Sequence, residues 1–163
     1  MDEKFATNSQ IFNLLEGTWG GEGRGFFPDV TSFDIRATIV FTRRDEKTLA
    51  YEQHAQKRYD GQNEWLQSHW ESGFISILDT SDLQLVNIQL GGRNEIMMGT
   101  SETLDGLFRI HFVSKVLNND PRMLSSARTF ELKDNTLHYE MEMQTTKVNE
   151  STSHLKINLQ RIR

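Results

Sequence analysis

Gly17-Thr18-Trp19-Gly20-Gly21-Glu22-Gly23 sets one tryptophan among four glycines near the start of the chain. Glycines let a strand bend sharply, and a tryptophan on such a strand gives a barrel a large side chain with which to close one end. The stretch does not lead into a helix and lacks a Lys-Ser/Thr ending, so neither a phosphate-cradling loop nor a dinucleotide fingerprint fits it. It reads as the first strand of a barrel that encloses a ligand.

Outward from that stretch the dominant period is two. Phe33, Ile35, Ala37, Ile39 and Phe41 alternate with Asp34, Arg36 and Thr38, the pattern of a strand with one wet face. The same parity returns in Phe108, Ile110 and Phe112, in Leu137, Tyr139, Met141 and Met143, and in Leu155, Ile157 and Leu159. Weaker candidates lie at 48–54, 64–70, 73–79, 82–89, 94–102 and 124–132. Turn signals separate them, among them Lys57-Arg58-Tyr59-Asp60-Gly61, Asp79-Thr80-Ser81-Asp82, Asp105-Gly106 and Asp134-Asn135. A helix is expected only at Ser9–Leu15, with Asn8 or Ser9 as its cap. The prediction is an all-β chain: one domain, residues 1–163, folded as a single antiparallel β-barrel of about ten strands with a short N-terminal helical turn. A barrel of that width is not filled by side chains alone, so it should hold a cavity for a small-molecule ligand.

Composition removes whole classes of function. The chain has no cysteine, which excludes disulfides, thiolate metal sites, iron–sulfur clusters and cysteine nucleophiles. A net charge of −5 has the wrong sign for binding phosphate backbones, so no nucleic-acid partner is expected. No apolar run approaches the roughly 20 residues of a membrane span, and Met1-Asp2-Glu3-Lys4 lacks the make-up of a secretory signal. The expectation is a soluble, cytoplasmic protein.

Five histidines are the main candidates for chemistry, and none of their spacings matches a zinc pattern. His111 and His138 fall on the polar parity of their strands and read as solvated, as does His54. His69, in His69-Trp70-Glu71-Ser72-Gly73, is either a pocket group or half of an ion pair. His154 opens the last strong strand, and its parity turns it away from the face of Leu155 and Ile157 unless a bulge intervenes. No serine sits in a Gly-x-Ser-x-Gly elbow, and Met97, Met98, Met141 and Met143 read as core filling. No residue stands out as catalytic.

Leu14-Leu15-Glu16-Gly17-Thr18-Trp19-Gly20-Gly21-Glu22-Gly23, followed by Phe27-Pro28, resembles the start of the nitrobindins, haem-binding β-barrels with a Gly-x-Trp-x-Gly-x-Gly motif and then an aromatic-Pro pair. His69 to Phe74 is similar to that family's His-x-Glu-x-Gly-aromatic segment, Gly99-Thr100 to its Gly-Thr, and Arg128-Thr129-Phe130-Glu131-Leu132 to the strand that follows. His154-Leu155 through Leu159 resembles its terminal His-Leu-x-x-x-Leu. The resemblance spans essentially the whole chain.

It implies haem b as cofactor, with His154 as the metal ligand, His69 on the opposite side, and Asp29 and Leu124 beside the cofactor. The implied activity is binding of nitric oxide and isomerisation of peroxynitrite to nitrate. The chain departs from the family at Asp29, where a threonine is common, at Leu124, near the place of a lysine with Arg122 two residues away, and at Ser153, where a proline is usual. A haem-free barrel taking a small apolar ligand, in the manner of fatty-acid-binding proteins and lipocalins, is the rival reading. A barrel with a collapsed cavity, acting through its surface as a homodimer, is a third.

Overall fold

The computed structural model describes residues 3–27 and 31–162. One helix, α1 (Glu3–Leu15), precedes ten strands: β1 (Gly17–Phe26), β2 (Ser32–Arg43), β3 (Thr48–Tyr59), β4 (Leu66–Ile77), β5 (Leu83–Gln89), β6 (Asn94–Leu104), β7 (Leu107–Asn118), β8 (Met123–Lys133), β9 (Thr136–Thr145) and β10 (Thr152–Arg161). Each strand pairs antiparallel with its chain neighbours, and β1 pairs with β10 to close the barrel. The alternation that predicted β2 is the alternation that builds it: Phe33, Ile35, Ala37, Ile39 and Phe41 are buried. Asp105-Gly106 and Asp134-Asn135 both adopt positive φ, the backbone that two-residue hairpins require.

The glycines of β1 serve its seam with β10. A Cβ on Gly21 would lie 1.9 Å from the Asn158 carbonyl oxygen, and one on Gly23 equally close to that of Lys156. Only glycine lets the two backbones approach so closely. Trp19 is fully buried on the same strand and donates its Nε1 hydrogen to the Leu15 carbonyl at 2.7 Å, tying β1 to the end of the helix. Ile11, Phe12 and Leu15 of α1 are buried with it, so the helix plugs one end of the barrel.

Two expectations change here. The helix starts at Glu3 rather than at Ser9. Asn8 is not its cap but a fully buried residue inside it, donating to the Ser81 carbonyl at 2.9 Å and accepting from the Ser101 hydroxyl. Contacts with a distant turn at Ser81 and with Ser101 of β6 hold the first turns of the helix, and local pattern does not carry those. Asn8→Ala is therefore expected to cost about 1–3 kcal/mol, the penalty for orphaned buried partners, read as a lowered thermal midpoint. The candidates at 64–70 and 73–79 form the single strand β4, which passes through Gly73 without a turn. Their apparent break comes from inverted polarity: Glu71 is buried inside the barrel, while Trp70 and Phe74 face outward, 43% and 52% exposed.

Candidate functional site

The barrel interior has two unlike halves. Around α1 it is filled by apolar side chains such as Trp19, Phe41, Leu49 and Phe112. Toward the other end it opens into a cavity of about 520 Å³, lined by residues that include Phe27, Phe33, Ile35, His69, Tyr139, Met141, Met143, His154 and Leu155. That is within the ~300–1,000 Å³ range of small-molecule sites.

Bulges shape this end. The β9–β10 register shifts between Ser153 and Leu155, which makes His154 the extra residue, and both His154 and Leu155 line the cavity. Strict alternation would send one of them outside, and the bulge is what turns His154 inward. Its Nδ1 lies 2.7 Å from the Phe26 carbonyl oxygen. A carbonyl only accepts, so Nδ1 carries the hydrogen and the Nε2 lone pair is left free. Desolvation pushes the His154 pKa below the ordinary histidine value, against the opposing hydrogen bond to Phe26, and so favours the neutral imidazole a metal needs. Phe27 and Phe33 stand beside the ring, with centroids 5.5 and 6.2 Å away.

His69 lines the same cavity, next to another register shift, where β3 and β4 step from Ala55–His69 to Gln56–Gln67. Its Nε2 lies 2.7 Å from Oε2 of Glu71. Glu71 belongs to an ionic cluster deeper in the barrel. Arg128 bonds Glu71 through Nη1 and Glu95 through Nη2, the latter at 2.6 Å, and all three side chains are at most 1% exposed. Tyr51 donates to Glu71 at 2.9 Å, and Ser126, Asn87 and Gln89 donate to Glu95. Burial alone would raise the Glu71 carboxyl, but the Arg128 guanidinium and the His69 hydrogen bond outweigh it and hold the group well below the usual carboxylate range. Glu95 moves the same way: desolvation would raise it, and Arg128 with the Asn87 and Ser126 hydrogen bonds outweighs that.

The rim of the cavity is basic. Lys57, Arg93, Arg122 and Lys147 line it, and Asp120 between them accepts hydrogen bonds from Arg93 and Arg122.

Of the residues singled out in the sequence, His69 and His154 come together in one cavity. Leu124 does not join them: the β8–β9 register shifts between Met123 and Ser125, Leu124 is 55% exposed, and Arg122 and Met123 line the cavity in its place. Asp29 lies outside the described residues. Phe33 and Tyr139 reach the cavity, whereas the Phe108 parity places Ile110 and Phe112 in the core away from it. His111 and His138 bond Thr129 and Asn158 across neighbouring strands, and His54 stacks on Trp70 at 4.1 Å. Arg128 and Glu95 escaped the sequence reading, which met Glu71 only as the carboxylate beside His69. Arg128 was findable, since it shares the buried parity of Phe130 and Leu132.

The family model for the "THAP4-like, heme-binding beta-barrel domain" matches residues 9–161. The chain belongs to this family. The resemblance to nitrobindins thus holds over the length that carries it. Among relatives of this haem-binding barrel, Peroxynitrite isomerase Rv2717c of Arabidopsis thaliana is 30% identical over 92% of this chain and 86% of its own. Peroxynitrite isomerase of Nocardia farcinica is 28% identical over 90% and 86% respectively. The crystal structure of Rv2717c from M. tuberculosis superposes with a TM-score of 0.81 at 22% identity, covering 100% of this chain and 99% of that one, and so shares its fold.

Proposed function

We propose that the chain binds haem b in this cavity through His154 and isomerises peroxynitrite to nitrate, binding nitric oxide at the same centre. One observation carries the reading: a bulge turns His154 into the cavity, and the Phe26 carbonyl fixes its tautomer so that Nε2 is the free nitrogen. The other residues fit the same group. Phe27 and Phe33 offer aromatic faces next to the ligand, while Met141, Met143 and Leu155 keep that side dry. Lys57, Arg93, Arg122 and Lys147 give carboxylate-bearing or anionic guests a positive entrance on a chain whose net charge is −5.

Haem held here by His154 would supply the iron on which peroxynitrite or nitric oxide reacts. The protein's own part is to hold His154 neutral, exclude bulk water and draw an anion in. The names of the relatives support the choice of peroxynitrite as substrate.

The test is reconstitution with ferric haem. A saturable Soret band is expected for the wild type and, unchanged, for His111→Ala and His138→Ala, whose side chains bond outer-face neighbours. No band with the wild type would move the assignment to a haem-free barrel for small apolar ligands.

A further inference from the structure

The outer wall of the barrel has two unlike sides. On β1, β2, β9 and β10 the outward residues include Glu22, Arg24, Asp34, Arg36, Glu140 and Lys156, a wet and charged face. β4, β5 and β6 reverse this. Their inward positions carry Glu71, Asn87, Gln89 and Glu95. Their outward positions from Ser72 to Ser76, Gln84 to Ile88 and Asn94 to Thr100 hold no charge at all, in a chain that is 25% charged.

The outward side chains line up across the strand registers. Ala50, Phe74, Val86, Ile96 and Val116 form one apolar row over the five strands from β3 to β7. Ser76, Gln84, Met98 and Val113 run beside it, and Ile88 and Leu90 add exposed apolar surface. Exposed apolar area depleted of charge has the composition of an interface core.

Charge selects the occupant. A chain of net charge −5 meets a second copy with least repulsion where neither carries charge. The margins of the face differ in sign: Glu52 stands outward on β3 beside Ser72, and Lys115 is exposed at the β7 bulge beside Ile96. Two sheets pack face to face with their strands nearly aligned, and a two-fold axis between them can run along the strands or across them. An axis across the strands sets Glu52 against Glu52 of the second copy. An axis along them lays the β3 margin of one copy on the β7 margin of the other, so Glu52 meets Lys115.

We propose that this face is a self-association surface on which a second copy packs face to face, β3 margin against β7 margin. Five strands at roughly 4.8 Å spacing span about 20 Å, less than the roughly 28 Å side of a square ~800 Å² footprint, so the dimer is reversible and forms at micromolar concentration. The face lies outside the barrel, and the proposal stands apart from the haem reading.

Sedimentation equilibrium of the full chain tests it. Between about 5 and about 500 µM the weight-average mass should rise from 18.9 kDa toward twice that value. Val86 is exposed at the centre of the row, so Val86→Lys brings two like charges together without touching the core and should hold the mass at the monomer value. Thr38→Lys, outward on β2, makes the same change of net charge and should leave the rise unchanged. Glu52→Lys should weaken association about tenfold, and Glu52→Lys combined with Lys115→Glu should restore it, because the pair is then reversed across the axis. A chain monomeric at every concentration, a dimer indifferent to Val86→Lys, or no recovery in the double variant overturns the proposal. Co-sedimentation of a monomeric chain with phosphatidylcholine vesicles, lost in Val86→Lys, also overturns it and gives the face to a lipid surface.

Discussion

Arg128→Met is expected to destabilise the protein by about 3–5 kcal/mol at neutral pH, because it strips from two buried carboxylates the guanidinium they share. The methionine fills most of the volume, so the loss reports uncompensated charge more than a void. The effect should depend on pH in a defined direction. In the wild type, Glu71 and Glu95 have folded-state pKa values depressed below their unfolded ones, so they contribute stability above about pH 4.5 and lose it as pH falls through the folded values. In the variant the same carboxyls have lost the partner that depressed them. Acid then relieves the variant while weakening the wild type, and the gap between them should narrow from pH 7 toward pH 4. Urea unfolding at both pH values measures this, and a constant gap would show that charge is not the cause. Replacing Glu71, Arg128 and Glu95 together by apolar residues should cost far less than Arg128→Met alone.

His154→Ala is expected to abolish saturable haem uptake with little change in stability. The side chain stands at a bulge and makes one backbone hydrogen bond, so its removal leaves the buried core intact. The variant should melt within roughly 1 kcal/mol of the wild type, the worth of one such bond, and yet show no Soret titration. Added imidazole should restore part of the band by occupying the vacated place. Uptake equal to the wild type would mean that some other group holds the iron.

What could be read in the sequence divides along a physical line. The strong alternations became β2, β7, β9 and β10 because their inward residues are apolar and their outward ones polar. β4 was harder, since at its cavity end His69 and Glu71 point in while Trp70 points out. A barrel that builds an ionic cluster inside itself inverts the pattern from which its strands are recognised. The outward turn of Leu124 and the inward turn of His154 were hidden for another reason. Each depends on a bulge, and a bulge is a mismatch between two strands that neither strand's own sequence displays. Resemblance pointed to His154 where parity pointed away, and the register shift reconciles them.

The seam between β1 and β10 joins the first strand to the tenth, and across it the Phe26 carbonyl meets His154, 128 residues away in sequence. Every other strand pair forms between chain neighbours and can zip in order as the polypeptide emerges. This one must wait for the last strand, paying the chain entropy of the longest loop in the molecule. The residue that would grip iron therefore arrives with the act of ring closure, and its tautomer is set by a partner it meets only then. A nascent or partly opened chain lacks this contact, so the His154 tautomer is set only once the ring has closed.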